Sequence, residues 1–292
     1  MKRIHAVRQN KLKGIIFILF AALGFSLMTF FVRISGDLPT MQKAFFRNFV
    51  ALLVAGGTLI KAKERIEVRR ENWLDLLLRS GFGTAGLIAN FYAVDKLGIA
   101  DANMLNKLSP FFAIILSIFI LKEYPNRFDI ITTIVAFIGA LFIIRPTGSF
   151  TAYFPALMGL FGGFAAGTAY VFVRKLSIGG VKTPVIVFVF SLFSCIVTLP
   201  FLVANYVPMT TSQWLCLILA GASASLGQFS ITTAYKYAPA KEISVFDYTH
   251  VIFAALLGII FLGELPQLLS IIGYAVIIGV AIIRWWKNIT TD

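Results

Sequence analysis

Residues 106–125 read NKLSPFFAIILSIFILKEYP, and residues 247–266, 141 positions further on, read DYTHVIFAALLGIIFLGELP. Each stretch opens on polar residues, continues as an apolar run, and closes with an acid two residues before a proline: Glu123 and Pro125, then Glu264 and Pro266. Phe112-Ala113 falls on Phe253-Ala254 and Leu121 on Leu262. The same offset carries Phe31-Val32-Arg33 onto Phe172-Val173-Arg174, Trp73-Leu74 onto Trp214-Leu215, Gly86 onto Gly227 and Ala93 onto Ala234. One constant spacing over so much of the chain marks an internal duplication.

The repeated unit is sized for a membrane. A hydrocarbon core about 30 Å thick needs about 20 apolar residues in a helix. Runs of that kind fall at 14–33, 39–60, 73–96, 99–121, 128–145, 155–175, 184–204, 212–235, 240–262 and 267–286, with Gly- and Pro-bearing linkers between them. Only helices fit, because an open chain in lipid leaves its backbone polar groups unsatisfied. The reading is an all-α polytopic membrane protein of ten transmembrane helices in two five-helix repeats, 14–146 and 155–287. Five is odd, so the second copy enters from the opposite side and the repeats are inverted.

Composition agrees. The 292 residues are 59% hydrophobic and only 13% charged, against about 25% charged in soluble domains. The net charge of +13 sits in short clusters between apolar runs. That pattern excludes a nucleic-acid surface and fits cytoplasmic membrane loops. With the N-terminus inside, the cytoplasmic side receives the basic N-terminus, Lys61/Lys63/Arg65/Arg69/Arg70, Lys122/Arg127, Arg174/Lys175/Lys182, Lys236/Lys241 and Arg284/Lys287. The opposite side receives little beyond Arg33, Lys96 and Arg145. The expected location is the inner (cytoplasmic) membrane with both termini in the cytoplasm. Cys195 and Cys216 lie inside apolar runs, and no metal motif or nucleophile–base set is present, so neither a cofactor nor an enzyme activity is expected.

The stretch Phe45-Phe46-Arg47-Asn48, the segment Phe91 to Ala102, Leu108-Ser109-Pro110-Phe111-Phe112 with Leu121-Lys122-Glu123, and in the second copy Ala234-Tyr235-Lys236-Tyr237-Ala238-Pro239-Ala240 with Leu262-Gly263-Glu264 resemble the drug/metabolite transporter superfamily, in particular its ten-helix EamA-type members. The resemblance spans almost the whole chain. It implies a carrier of small metabolites and leaves the substrate open. Val251 stands where the first copy has Pro110, so the ninth helix is expected to be less kinked than the fourth.

Ionisable groups inside spans are costly and are functional candidates. Lys43 and Arg47 lie one turn apart in the second span, Lys107 in the fourth, and Asp247 and His250 in the ninth. The repeat pairs Asn106 with Asp247, Lys107 with Tyr248 and Ser109 with His250, so these midsections should face each other across a central cavity. Its expected lining is Asn103, Asn106, Lys107, Ser244, Asp247, Tyr248 and His250, with Asn90, Tyr92, Tyr170, Gln228 and Tyr235 behind them. Lys43, Arg47 or Lys107 would take a carboxylate or phosphate and Asp247 an amine. Against that, Lys107 and Asp247 could simply neutralise each other, and Arg47 could bond backbone carbonyls. Asp247 and His250 are the candidates for proton coupling, since imidazole titrates near neutrality.

The expected function is a secondary active exporter of amino-acid-like or other polar metabolites, working by alternating access. An uptake carrier or exchanger of the same fold is the alternative, with a passive channel or lipid flippase behind it. Expected partners are a small-molecule substrate and the bilayer, with no nucleic acid; a homodimer stays open.

Overall fold

The computed structural model describes residues 2–63, 68–97, 105–144, 153–263 and 268–290. Its helices are α1 (Lys2–Ile34), α2 (Thr40–Lys61), α3 (Trp73–Leu97), α4 (Ser109–Leu121), α5 (Arg127–Ile144), α6 (Tyr153–Ile178), α7 (Thr183–Ala204), α8 (Thr211–Tyr237), a short α9 (Ala240–Ile243), α10 (Thr249–Leu262) and α11 (Leu268–Thr290). The described residues contain no strand. Six of their helices, beginning with Gln9–Ile34, are long and apolar enough to cross a membrane. α1 starts well before the predicted 14–33 span, because the basic leader is itself helical.

Local chemistry sets the boundaries. Thr210 and Gln213 cap α8 reciprocally, each side chain accepting from the other's backbone N–H, which satisfies donors that a helix start leaves orphaned. α4 and α10 both end on a left-handed residue, Lys122 at φ 56° and Gly263 at φ 66°. These two positions are register mates, so the duplication is written in the backbone as well as in the side chains. Glycine reaches this region without the Cβ clash that lysine meets.

The halves interlock. α1 packs along α8 and α3 along α6; the register converts the first contact into the second. Likewise α4 lies on α6 and α10 on α1, while α2 meets its own mate α7 and α5 its own mate α11. A Cβ on Gly14 would stand 2.8 Å from the Ala238 Cβ at the end of α8. Arg174, near the end of α6, donates to the carbonyls of Tyr235 and Lys236 at that same end. The start of α1 and the end of its mate α6 therefore share one face of the molecule, and the repeats are inverted.

Large apolar side chains project outward along the helices: Leu53 and Ile60 on α2, Phe119 on α4, Ile196 and Val203 on α7, Ile260 on α10. Apolar exposure on this scale marks an interaction surface, and here it is the lipid-facing one.

The ninth span changes helix type along its length. Between α9 and α10 the chain runs as a 3-10 segment, Ser244–Tyr248, upstream of Val251. The change occurs with no proline in the segment. In the first copy Lys107-Leu108, the mates of Tyr248-Thr249, form a turn just before α4.

Candidate functional site

The two helix breaks meet. Lys107 Nζ lies 3.1 Å from Asp247 Oδ2, with both side chains nearly buried. The Tyr248 hydroxyl donates to the Lys107 carbonyl at 3.1 Å. Tyr248 is the register mate of Lys107, so this contact sits where a two-fold axis between the halves would pass. Breaks in spanning helices free backbone groups and polar side chains at the interface of inverted repeats, where transporters hold solute. His250 is within electrostatic range of Lys107 and Asp247. Its Nδ1 is buried without a hydrogen-bond partner, and its carbonyl accepts from Ser26 Oγ at 2.9 Å.

Small residues set these segments in place. A Cβ on Gly163 would come 2.6 Å from the Leu105 carbonyl oxygen and 3.4 Å from that of Asn106; one on Gly167 would come 2.7 Å from that of Ser109. Gly167 and Ser109 are the register mates of Ser26 and His250, so both copies support their broken segment from the same side.

A second polar group lies among α2, α3, α6, α7 and α8. Arg47 and Arg79 are 4% and 2% exposed and lie within electrostatic range of each other and of Tyr170. Arg79 Nη2 donates to Gln228 Oε1 at 3.0 Å, and its guanidinium carbon stands 4.0 Å from the Phe190 ring centre. Tyr170 stacks on Tyr235 with centroids 5.2 Å apart, and Asp247 is in electrostatic range of both tyrosines, which connects the two groups. Asn90 Oδ1 is buried without a partner. Arg79 is absent from the sequence candidates, although it sits inside the predicted third span and the rule that selects Arg47 selects it equally.

Other candidates stand apart. Lys43 Nζ donates to the Gly36 carbonyl at 2.6 Å, in the turn between α1 and α2. Tyr92 is 37% exposed and packs edge-on against Phe154. Ser244 is buried with its hydroxyl on the Ala240 carbonyl. Asn103 lies outside the described residues, as does Glu264.

One end of the molecule is tied by ion pairs that join the halves: Glu123 to Arg174 at 3.2 Å, Asp75 to Lys175 at 2.8 Å and Asp129 to Arg284 at 2.8 Å. Arg284, which by sequence belongs to the cytoplasmic basic set, is 2% exposed, because Asp129 and Thr132 receive it.

A model of the EamA-like transporter family matches residues 12–145 and 153–285. The chain is 32% identical over 269 residues to the pseudopaline exporter of Pseudomonas aeruginosa, covering 91% of this chain and 93% of that protein. It is 28% identical to a riboflavin transporter of Brucella anthropi, over 84% of this chain and 87% of the relative. With human solute carrier family 35 member G1 the identity is 26%, over 94% and 80%. A solved crystal structure shares the fold at a TM-score of 0.83, with 15% identity, covering 95% of this chain and 96% of that one.

Proposed function

The chain belongs to the EamA-like transporter family, and from that premise we propose that it is a secondary active exporter of small polar metabolites, working by alternating access and coupled to protons. That it is a multi-pass membrane transporter of small molecules, and not an enzyme, follows from the family. Direction, mechanism and coupling are our reading. The segments 14–146 and 155–287 are its two moving units, set in an inner membrane with both termini in the cytoplasm.

The observation that carries the reading is the contact of Lys107 with Asp247 and Tyr248. It joins the helix breaks of two oppositely threaded halves. A solute that binds between these residues competes with a contact that ties the halves, which links occupancy to conformation. Asp247, with His250 in range, offers a group that can bind a proton when the pair opens. Likeness to the pseudopaline exporter supports the outward direction.

The test uses inside-out membrane vesicles given a cell metabolite extract and an imposed pH gradient, with mass spectrometry of the vesicle contents. Saturable accumulation that collapses with the gradient, and loses its gradient response in Asp247→Asn, is expected. Accumulation indifferent to the gradient would remove the proton coupling. Non-saturable flux would remove the carrier mechanism.

A further inference from the structure

Arg47 and Arg79 are two buried cations with no counter-ion among the described residues. Each salt bridge that forms elsewhere has its acid, as with Asp129 for Arg284 and Glu123 for Arg174. Arg47 and Arg79 lie within electrostatic range of each other and of the Tyr170 phenol, which is neutral, and no ion pair to an acid joins either arginine among the described residues. Arg47 Nε and Nη1, Arg79 Nε and the adjacent Asn48 Nδ2 are all buried without hydrogen-bond partners. Unmade hydrogen bonds in such surroundings are costly, and a charge more so. Two like charges in range add repulsion. A protein that needed these arginines only for packing would gain by neutral side chains of similar volume. Gln228 and Phe190 hold Arg79 in place without neutralising it.

We propose that Arg47 and Arg79 form a subsite for an oxyanionic group of the transported solute, a carboxylate or phosphate. The inference rests on the transport reading above for what delivers the anion. Planar guanidinium groups bind such oxygens through charge-assisted hydrogen bonds. Tyr170 and Tyr235, between this subsite and Asp247, are placed to contact the body of the solute. A substrate class follows: organic anions whose remaining polar group lies near Lys107 and Asp247, so that one molecule spans both groups.

The purified full-length protein is melted with malonate, inorganic phosphate or the neutral isostere malonamide at constant ionic strength. Malonate or phosphate should raise the melting temperature by a few degrees, with malonamide giving no rise; whichever anion acts more strongly identifies the oxyanion. Arg47→Gln and Arg79→Gln should each abolish the rise while leaving the ligand-free melting temperature unchanged or higher, since an uncompensated charge is removed. Arg47→Lys, which keeps the charge, should retain part of it. Equal behaviour of the anions and malonamide in wild type, or an undiminished rise in both glutamine variants, overturns the subsite. Vesicle accumulation is measured in parallel. A wild type that shows the anion shift but accumulates nothing supports the subsite and counts against the transport reading; accumulation without the shift does the reverse.

Discussion

Asp247 accepts from Lys107 across 3.1 Å in the interior of the bundle, and the two residues come from opposite repeats. The pair ties the two halves together. It keeps a lysine and a carboxylate neutral toward each other inside an apolar protein, and either becomes an uncompensated charge when the other is removed.

Asp247→Asn or Lys107→Met alone should therefore destabilise the protein by about 3–5 kcal/mol. The double replacement Lys107→Met with Asp247→Leu should recover most of that loss, since apolar residues of like volume tolerate such a site. Melting curves of the three variants in detergent check this. Gradient-driven accumulation in vesicles should be lost in all of them, the rescued double variant included.

The backing of the helix breaks makes a steric prediction. Gly167→Ala should cost about 1–3 kcal/mol through overpacking, because its Cβ meets the Ser109 carbonyl and the Phe112 side chain. Gly81→Ala, on the open side of α3 with nothing within 4 Å, should be neutral or stabilising. The difference in melting temperature between the two variants is the readout.

The mated helix ends predict opposite responses. Lys122 adopts φ 56° where its mate Gly263 adopts φ 66°. Lys122→Gly should stabilise, and Gly263→Ala destabilise, each by about 1 kcal/mol from the clash of Cβ with the carbonyl in the left-handed region. Equal and small effects at both positions would mean that the two turns relax freely.

Orientation is checked by labelling. α2 runs antiparallel to α7, with Gln42 bonded to Val207 near one end and Gly56 beside Phe188 toward the other. In a background with Cys195 and Cys216 replaced by serine, an impermeant maleimide added to whole cells should label Asn205→Cys and spare Lys61→Cys. The reverse pattern would invert the placement derived from the basic loops.

Much of this architecture was legible from residue order. The 141-residue offset fixed which helices are mates, and the packing of α1 on α8 and α3 on α6 follows that register. It also brought Lys107 and Tyr248 together, since a residue near a two-fold axis meets its own mate. Helix interruption was harder to read. Pro110 drew attention to the first break, whereas the second rests on Ser244–Tyr248, whose turn depends on tertiary partners such as Lys107. Lys43 and Arg47 share a helix face, yet a flexible stem lets Lys43 turn back to the Gly36 carbonyl. Arg79 and Gln228 converge from α3 and α8, elements 149 positions apart, and no local spacing announces such a pair. Arg284 followed the basic-cluster rule in sequence but found Asp129 across the α5–α11 contact.

The central claim is that the two halves open at one end only while closed at the other. Spin-label distances in lipid nanodiscs test it most directly, with one pair at the ion-paired end (Tyr124→Cys with Lys236→Cys) and one at the opposite end (Asp37→Cys with Asn205→Cys). Weakening the tie between the halves with Arg174→Gln should enlarge a long-distance population at the first end and, by the same fraction, a short-distance population at the second. Widening at the first end with the second unchanged, or both ends wide in the same molecules, would contradict the account.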